Sequence, residues 1–131
     1  MQTLRDYPAA LRQTADVTTG TVWTEALAQT GSPAVLVNRA HFSPGARTCW
    51  HRHQRGQTLI IESGVALVQE EGGPILELRP QQILECAPGV NHWHGASGDH
   101  AMTQFAITTA DGQYATWGQL VTDEQYYAGR R

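Results

Sequence analysis

Two His-x-His pairs, His51-Arg52-His53 and His92-Trp93-His94, constrain this chain more than any other feature. Side chains alternate faces along an extended strand, so both members of each pair point the same way. Paired imidazoles on one face of a strand are ready nitrogen donors for a divalent transition metal. Gln57 follows the first pair after the Arg55-Gly56 turn, and its amide oxygen is within reach of the same ion. Four of the six histidines therefore fall into two strand-spaced pairs. Such pairs need a fold that brings separate strands together around one interior.

The rest of the chain reads as short strands with glycine and proline punctuation. TTGTVWTEALAQ opens a strand-rich body, and AVLVNRAHF follows the turn at Gly31-Ser32-Pro33. A histidine-bearing strand is expected over Ala46 to His53, then strands over Gln57 to Glu62 and Val65 to Gln69, hinged at Ser63-Gly64. The run PILELR, a short strand over Ile83 to Ala87, the histidine-bearing Val90 to Gly95 and AMTQFAITTA complete the series. Even spacing of this kind indicates an all-β sandwich or barrel. Residues 1–16 read as a polar N-terminal arm, with a short helix near Pro8-Ala9-Ala10-Leu11, and two readings stand equally for it: a loose terminus and an arm that pairs with another subunit. Residues 17–131 read as a single domain. Near the C-terminus Thr122 is placed to cap a helical turn that starts with Asp123 and Glu124. Trp117, Leu120 and Val121 are expected to pack that segment over the barrel as a lid.

Composition removes several classes of function. A formal net charge of -3 provides no basic field for nucleic acid. There is no apolar run long enough to span a membrane, and the start MQTLRDYPAALRQ lacks the apolar core of a signal peptide. Two cysteines do not make a disulfide framework, which fits a reducing cytoplasm. The chain contains no lysine, which excludes Schiff-base chemistry and lysine-anchored pyridoxal phosphate. It also lacks the G-x-S-x-G elbow of a serine hydrolase.

The stretch Gly45, ARTCW, His51-Arg52-His53, QRG, Gln57, TLIIES, Gly64 resembles the first cupin motif in every spacing, with glutamine where that family usually has glutamate. Ala87-Pro88-Gly89, two residues and His92 resemble the end of the second motif, while Gln81-Gln82 replaces its opening Gly-Asp. The resemblance implies a double-stranded jelly-roll barrel, the cupin fold, with a metal inside its mouth. The strings PGART-W-H-H---GQTLI, EGG, PG--HWHGA, AMT--AI and VTDEQY are more narrowly similar to small bacterial cupins that include manganese-dependent hydroxynitrile lyases. That resemblance implies His51, His53, Gln57 and His92 as metal ligands and manganese as the metal. Iron, zinc, nickel and cobalt suit the same donors. It also implies a homodimer or homotetramer, since cupins of this size pair through a shared sheet.

Three neutral imidazoles and a neutral amide leave a divalent ion its full charge, which favours an anionic ligand or a developing oxyanion. A cyanohydrin suits such a site, releasing an aldehyde or ketone and cyanide. His94 shares the parity of His92 and is the candidate for moving the proton or holding cyanide. Gln104 stands where lyases of this group include a histidine. Asn38, Ala40, Arg47 and Cys49 are candidates for the substrate pocket, Arg47 and Cys49 because they share the parity of His51. A structural ion pair and a small buried residue are the competing readings for those two. Trp50 and Trp93 are expected to face away from the ligands, and His41 and His100 to be surface residues. An iron-dependent dioxygenase and a non-catalytic small-molecule-binding cupin remain as alternative functions.

Overall fold

The structure, a computed structural model, describes residues 4, 6, 7, 11–128 and 130. The helix expected near Pro8-Ala9-Ala10-Leu11 falls on residues 8–10, outside the described ones. The strands are β1 (Arg12–Gln13), β2 (Thr18–Thr19), β3 (Val22–Thr30), β4 (Ala34–Phe42), β5 (Arg47–Thr48), β6 (His51–Arg52), β7 (Gln57–Gly64), β8 (Ala66–Glu70), β9 (Ile75–Leu78), β10 (Ile83–Cys86), β11 (His92–Ala96), β12 (Met102–Ala110) and β13 (Thr116–Trp117). A 3-10 turn spans Ala15–Val17, and the helix α1 spans Asp123–Tyr127. No described helix is long and apolar enough to cross a membrane.

Two antiparallel sheets face each other, as the alternation of the strands requires. One has the order β1-β3-β4-β12-β7-β10; the other runs β13-β6-β11-β5-β2, with β8 added beside β11 and β9 beside β8. Along β12, Met102, Gln104, Ala106, Thr108 and Ala110 are buried while the residues between them are half-buried. Register then assembles the inner wall of the first sheet: Ala106 lies opposite Asn38, Gln104 opposite Ala40, and Thr108 opposite Gln57. Phe42, Leu59, Ile61, Val68 and Met102 close the interior below this wall. Burying such side chains contributes roughly 1.5–3 kcal/mol each.

The single strand expected over Ala46 to His53 is broken in two. At the break, Cys49 N–H donates to Val17 O and Trp50 N–H to Gln119 O, so the chain changes partners between β2 and β13. The irregularity shifts the alternation: Thr48 and His51, which a continuous strand would place on opposite faces, both line the interior cavity. Parity with His51 therefore misplaces Arg47 and Cys49. Arg47 points to the outer side, where Nη2 donates to Val121 O and Asp123 Oδ1, both at 2.8 Å. Cys49 is buried but is not part of the cavity wall.

The outer side of the second sheet carries its own apolar cluster of Leu67, Trp93, Val121 and Tyr126. The helix α1 covers it, starting from a capping box in which Thr122 and Gln125 bond each other's backbone. Of the three residues expected to anchor this segment only Val121 is buried; Trp117 and Leu120 are exposed. The anchor is Tyr126, whose hydroxyl donates to Ala96 O at 2.5 Å beneath the Arg47 guanidinium. Trp93 is fully buried in this cluster, facing away from the histidine pair that flanks it. His41 is not a free surface residue. It sits on β4, half-buried, between Glu25 Oε1 at 2.7 Å and Thr103 Oγ1 at 3.1 Å.

Gly64 ends β7 with φ of +80°, and a Cβ there would lie 1.8 Å from the carbonyl oxygen of Ala101. Gly64→Ala is expected to cost about 2–4 kcal/mol, from left-handed backbone strain plus overpacking. Thermal unfolding reads this directly, and an unchanged melting temperature would contradict it.

Candidate metal centre

Three strand ends converge on one point. β11 runs antiparallel to β6 with His92 opposite His51, and on the other side of β6 Trp117 pairs with His51. His53 follows β6 and enters a turn held by Gly56 N–H and Gly89 N–H, both donating to His53 O. Gly56 has φ of +80°, and a Cβ there would meet Cys86 O at 2.6 Å, so the turn requires glycine. It returns the chain to the first sheet, where Gln57 opens β7 facing the imidazoles.

Each of the three rings is fixed by a backbone carbonyl. Nδ1–H of His51 donates to Cys49 O at 2.8 Å, that of His53 to Tyr114 O at 3.0 Å, and that of His92 to Val90 O at 3.1 Å. With the proton on Nδ1, each ring turns an Nε2 lone pair inward. One nitrogen from each ring lies within 4.8 Å of the others. His53 Nε2, His92 Nε2 and Gln57 Oε1 are buried without a hydrogen-bond partner. Both N–H bonds of the Gln57 amide are directed elsewhere, to Thr108 Oγ1 at 3.0 Å and Tyr114 Oη at 3.4 Å. Unpaired buried acceptors cost about 1–3 kcal/mol each. One cation among them would satisfy all of them together, and the donor set fits a divalent transition metal.

Electrostatics keep the rings ready to bind. Burial, followed by the repulsion of a charged His92, lowers the His51 pKa to about 3. Burial lowers that of His92 to about 4, and burial also lowers that of His53. All three are neutral at pH 7, the form that ligates.

His94 lies beyond this set, its ring centroid 5.3 Å from that of His51 and 5.9 Å from that of His92. Burial holds its pKa well below the ordinary imidazole value. Gln104 Nε2 donates to His94 Nδ1 at 3.0 Å, and Gln104 Oε1 is a further buried acceptor without a partner. His94, Gln104, Asn38 and Ala40 all line a cavity of about 180 Å³ together with His51 and Gln57. Val17, Val22, Phe42, Ala106 and Trp117 supply apolar wall, and Thr14 borders the cavity from the stretch read as the N-terminal arm. Sequence reasoning missed Thr108, Tyr114 and the position of Trp117. For Thr108 the signal was its inward parity with Gln104 on one strand; Tyr114 lies in irregular chain and Trp117 on the two-residue strand β13, too short for alternation to show, and neither gave one.

A two-sheet barrel with an imidazole-and-amide centre in its mouth is a cupin. The Cupin domain family matches residues 38–108, and the chain belongs to that family. Among its relatives is a protein from Granulicella tundricola named (R)-mandelonitrile lyase, 46% identical over 114 residues that cover 86% of this chain and 87% of that protein. A cupin-like protein from Thermotoga maritima is similar in structure, with a TM-score of 0.84 and 32% identity over 98% of this chain and all of that one. A cupin-2 domain from Rhodospirillum rubrum shares the fold at a TM-score of 0.72 and 16% identity, covering 95% of this chain and 84% of that one.

Proposed function

We propose that this cupin is a metal-dependent hydroxynitrile lyase that cleaves and forms small cyanohydrins, with His51, His53, His92 and Gln57 holding the ion and manganese as the first choice. The observation that carries the reading is the relative named (R)-mandelonitrile lyase, 46% identical across 86% of the chain. Bound at this centre, a divalent ion supplies Lewis acidity, lowering the pKa of a hydroxyl and polarising a carbonyl oxygen.

The chain's own residues do the rest. The apolar wall of Val22, Ala40, Phe42 and Trp117 takes the organic substituent, and a cavity of about 180 Å³ suits an aryl or short aliphatic group. In cleavage the hydroxyl loses its proton, the bond to the nitrile carbon breaks, and its electron pair leaves with cyanide while the carbonyl forms. His94 is the imidazole that lines the cavity outside the ligand set, and it handles the proton. With the Gln104 amide turned to accept from His94 Nδ1–H, Nε2 takes the hydroxyl proton and returns it to cyanide. The transient imidazolium forms beside the cyanide anion, which offsets the penalty of burial. As placed, Gln104 donates to Nδ1, which leaves the proton of a neutral ring on Nε2, and in that form His94 is a donor for cyanide rather than a base.

Purified protein reloaded with manganese is expected to release benzaldehyde from mandelonitrile, to stop on chelation and to resume on reloading. Cleavage should continue under anaerobic conditions, which separates a lyase from a dioxygenase. A manganese-loaded protein that leaves mandelonitrile and a panel of aliphatic cyanohydrins intact would overturn the proposal.

A further inference from the structure

Trp117 faces the barrel interior and yet is open to solvent. Residues opposite each other on antiparallel strands share a face, and Trp117 lies opposite His51 in the β13–β6 ladder. Its ring centroid is 5.3 Å from that of His51, with the planes tilted by 41°, and 6.1 Å from that of Tyr114. The residue is nevertheless 44% exposed, because β13 ends its sheet and has no further strand beside it among the described residues. An inward-facing side chain on a sheet edge stands at the rim of the barrel.

The open space around the indole agrees with that position. Trp117 lines the inner cavity of about 180 Å³, and it also lines a surface depression formed with residues 13–17. Thr14 and Val17 border both spaces as well. The cavity therefore meets the surface between Trp117 and the Thr14–Val17 turn. Trp117 also borders a surface groove of about 550 Å³ that it shares with Trp50, Arg52 and Gln125. The backbone beside the ring is fixed, since Gly118 N–H donates to Trp50 O at 2.7 Å and a Cβ on Gly118 would lie 2.9 Å from that oxygen.

We propose that Trp117 is the specificity-determining residue of this cavity: its indole forms the outer wall of the substituent pocket, admits substrates whose substituent is a single flat ring and excludes longer ones. An aryl group beside an indole gains from ring–ring contact. A second ring in line with the first has to pass the indole, and a clash of that kind gives selectivity without loss for the ring that fits. Replacing the indole by a methyl group opens the cavity to the surface and leaves the ligand residues in place.

The inference rests on the metal-centre part of the proposed function and names the substituent class, so its test reads binding rather than turnover. Carboxylates serve as unreactive anionic probes for the ion. Full-length protein loaded with manganese is titrated with benzoate and with 4-phenylbenzoate, and binding is read from the broadening that the paramagnetic ion causes in each probe's proton resonances. The unmodified protein is expected to bind 4-phenylbenzoate about tenfold more weakly than benzoate. Trp117→Ala is expected to reverse that order, weakening benzoate about fivefold and tightening 4-phenylbenzoate about tenfold. Trp117→Phe, which keeps a ring beside His51, is expected to fall between the two, and all three proteins should carry equal manganese. Loss of manganese from Trp117→Ala would assign the indole to supporting His51 and overturn the proposal, as would a preference for benzoate that stays unchanged. Failure of the unmodified protein to take up manganese overturns the metal reading on which the inference depends. Probe binding without mandelonitrile cleavage overturns the lyase reading alone and leaves the size rule standing.

Discussion

His51→Ala is expected to abolish stable metal uptake and to reduce cyanohydrin cleavage by roughly a thousandfold. His51 is the hub of the cluster: it lies opposite His92, and its ring is the nearest neighbour of His53, His92, His94 and Trp117 within 5.3 Å. Its removal leaves a divalent ion with two imidazoles and an amide, a poor set for retention against water. Lewis-acid stabilisation of developing charge is worth several kcal/mol, and about 4 kcal/mol corresponds to a factor of about a thousand in rate. The loss should not come from misfolding. The Nδ1–H of His51 meets only Cys49 O, and no buried donor loses its acceptor when the ring goes. Metal content by elemental analysis, far-UV circular dichroism and benzaldehyde release measured on one sample would check all three parts. Retained metal with retained cleavage would remove His51 from the centre.

The second large effect is acid sensitivity of the metal-free protein. Unfolded histidine titrates near pH 6.5, whereas in the fold His51 is lowered to about 3 and His92 to about 4. Above pH 6.5 both states carry neutral rings, and these groups add no pH dependence. As pH falls below 6.5 the unfolded chain binds protons that the fold refuses, so stability is lost until the folded values are reached. At pH 5 each ring costs about 2 kcal/mol, since each pKa unit is worth 1.36 kcal/mol. His53 and His94 are shifted in the same direction and add to the loss. A drop of about 15 °C or more in melting temperature between pH 7 and pH 5 is the expected result for the chelated protein. Manganese at a thousand times its dissociation constant should raise stability by about 4 kcal/mol at pH 7. A chelated protein that melts at the same temperature at both pH values would show that the rings are not buried as neutral bases.

Much of the fold was legible because burial imposes period-two alternation on each strand. AVLVNRAHF and AMTQFAITTA both form nine-residue strands, and the Thr122 cap forms as its side chain dictates. The His-x-His pairs carried their own geometry too: alternation alone places His51 with His53 and His92 with His94. The same rule failed for Arg47 and Cys49, because it assumes an unbroken strand. The bonds that interrupt it, from Cys49 to Val17 and from Trp50 to Gln119, join residues far apart in the sequence. His41 was misread for a related reason. Its partners Glu25 and Thr103 lie on neighbouring strands, and nothing local announces them.

By itself the sequence determined the strand-rich class, the two histidine pairs and the glutamine four residues after His53. Each of these is a local property, fixed by residue type and by the repeat of an extended chain. Only the tertiary structure decided how those donors meet: the register that sets His92 opposite His51, the carbonyls that fix each imidazole tautomer, and the approach of Tyr114 and Thr108 to Gln57. These depend on contacts between segments distant in the chain, and a buried polar group bonds whichever partners the fold brings to it.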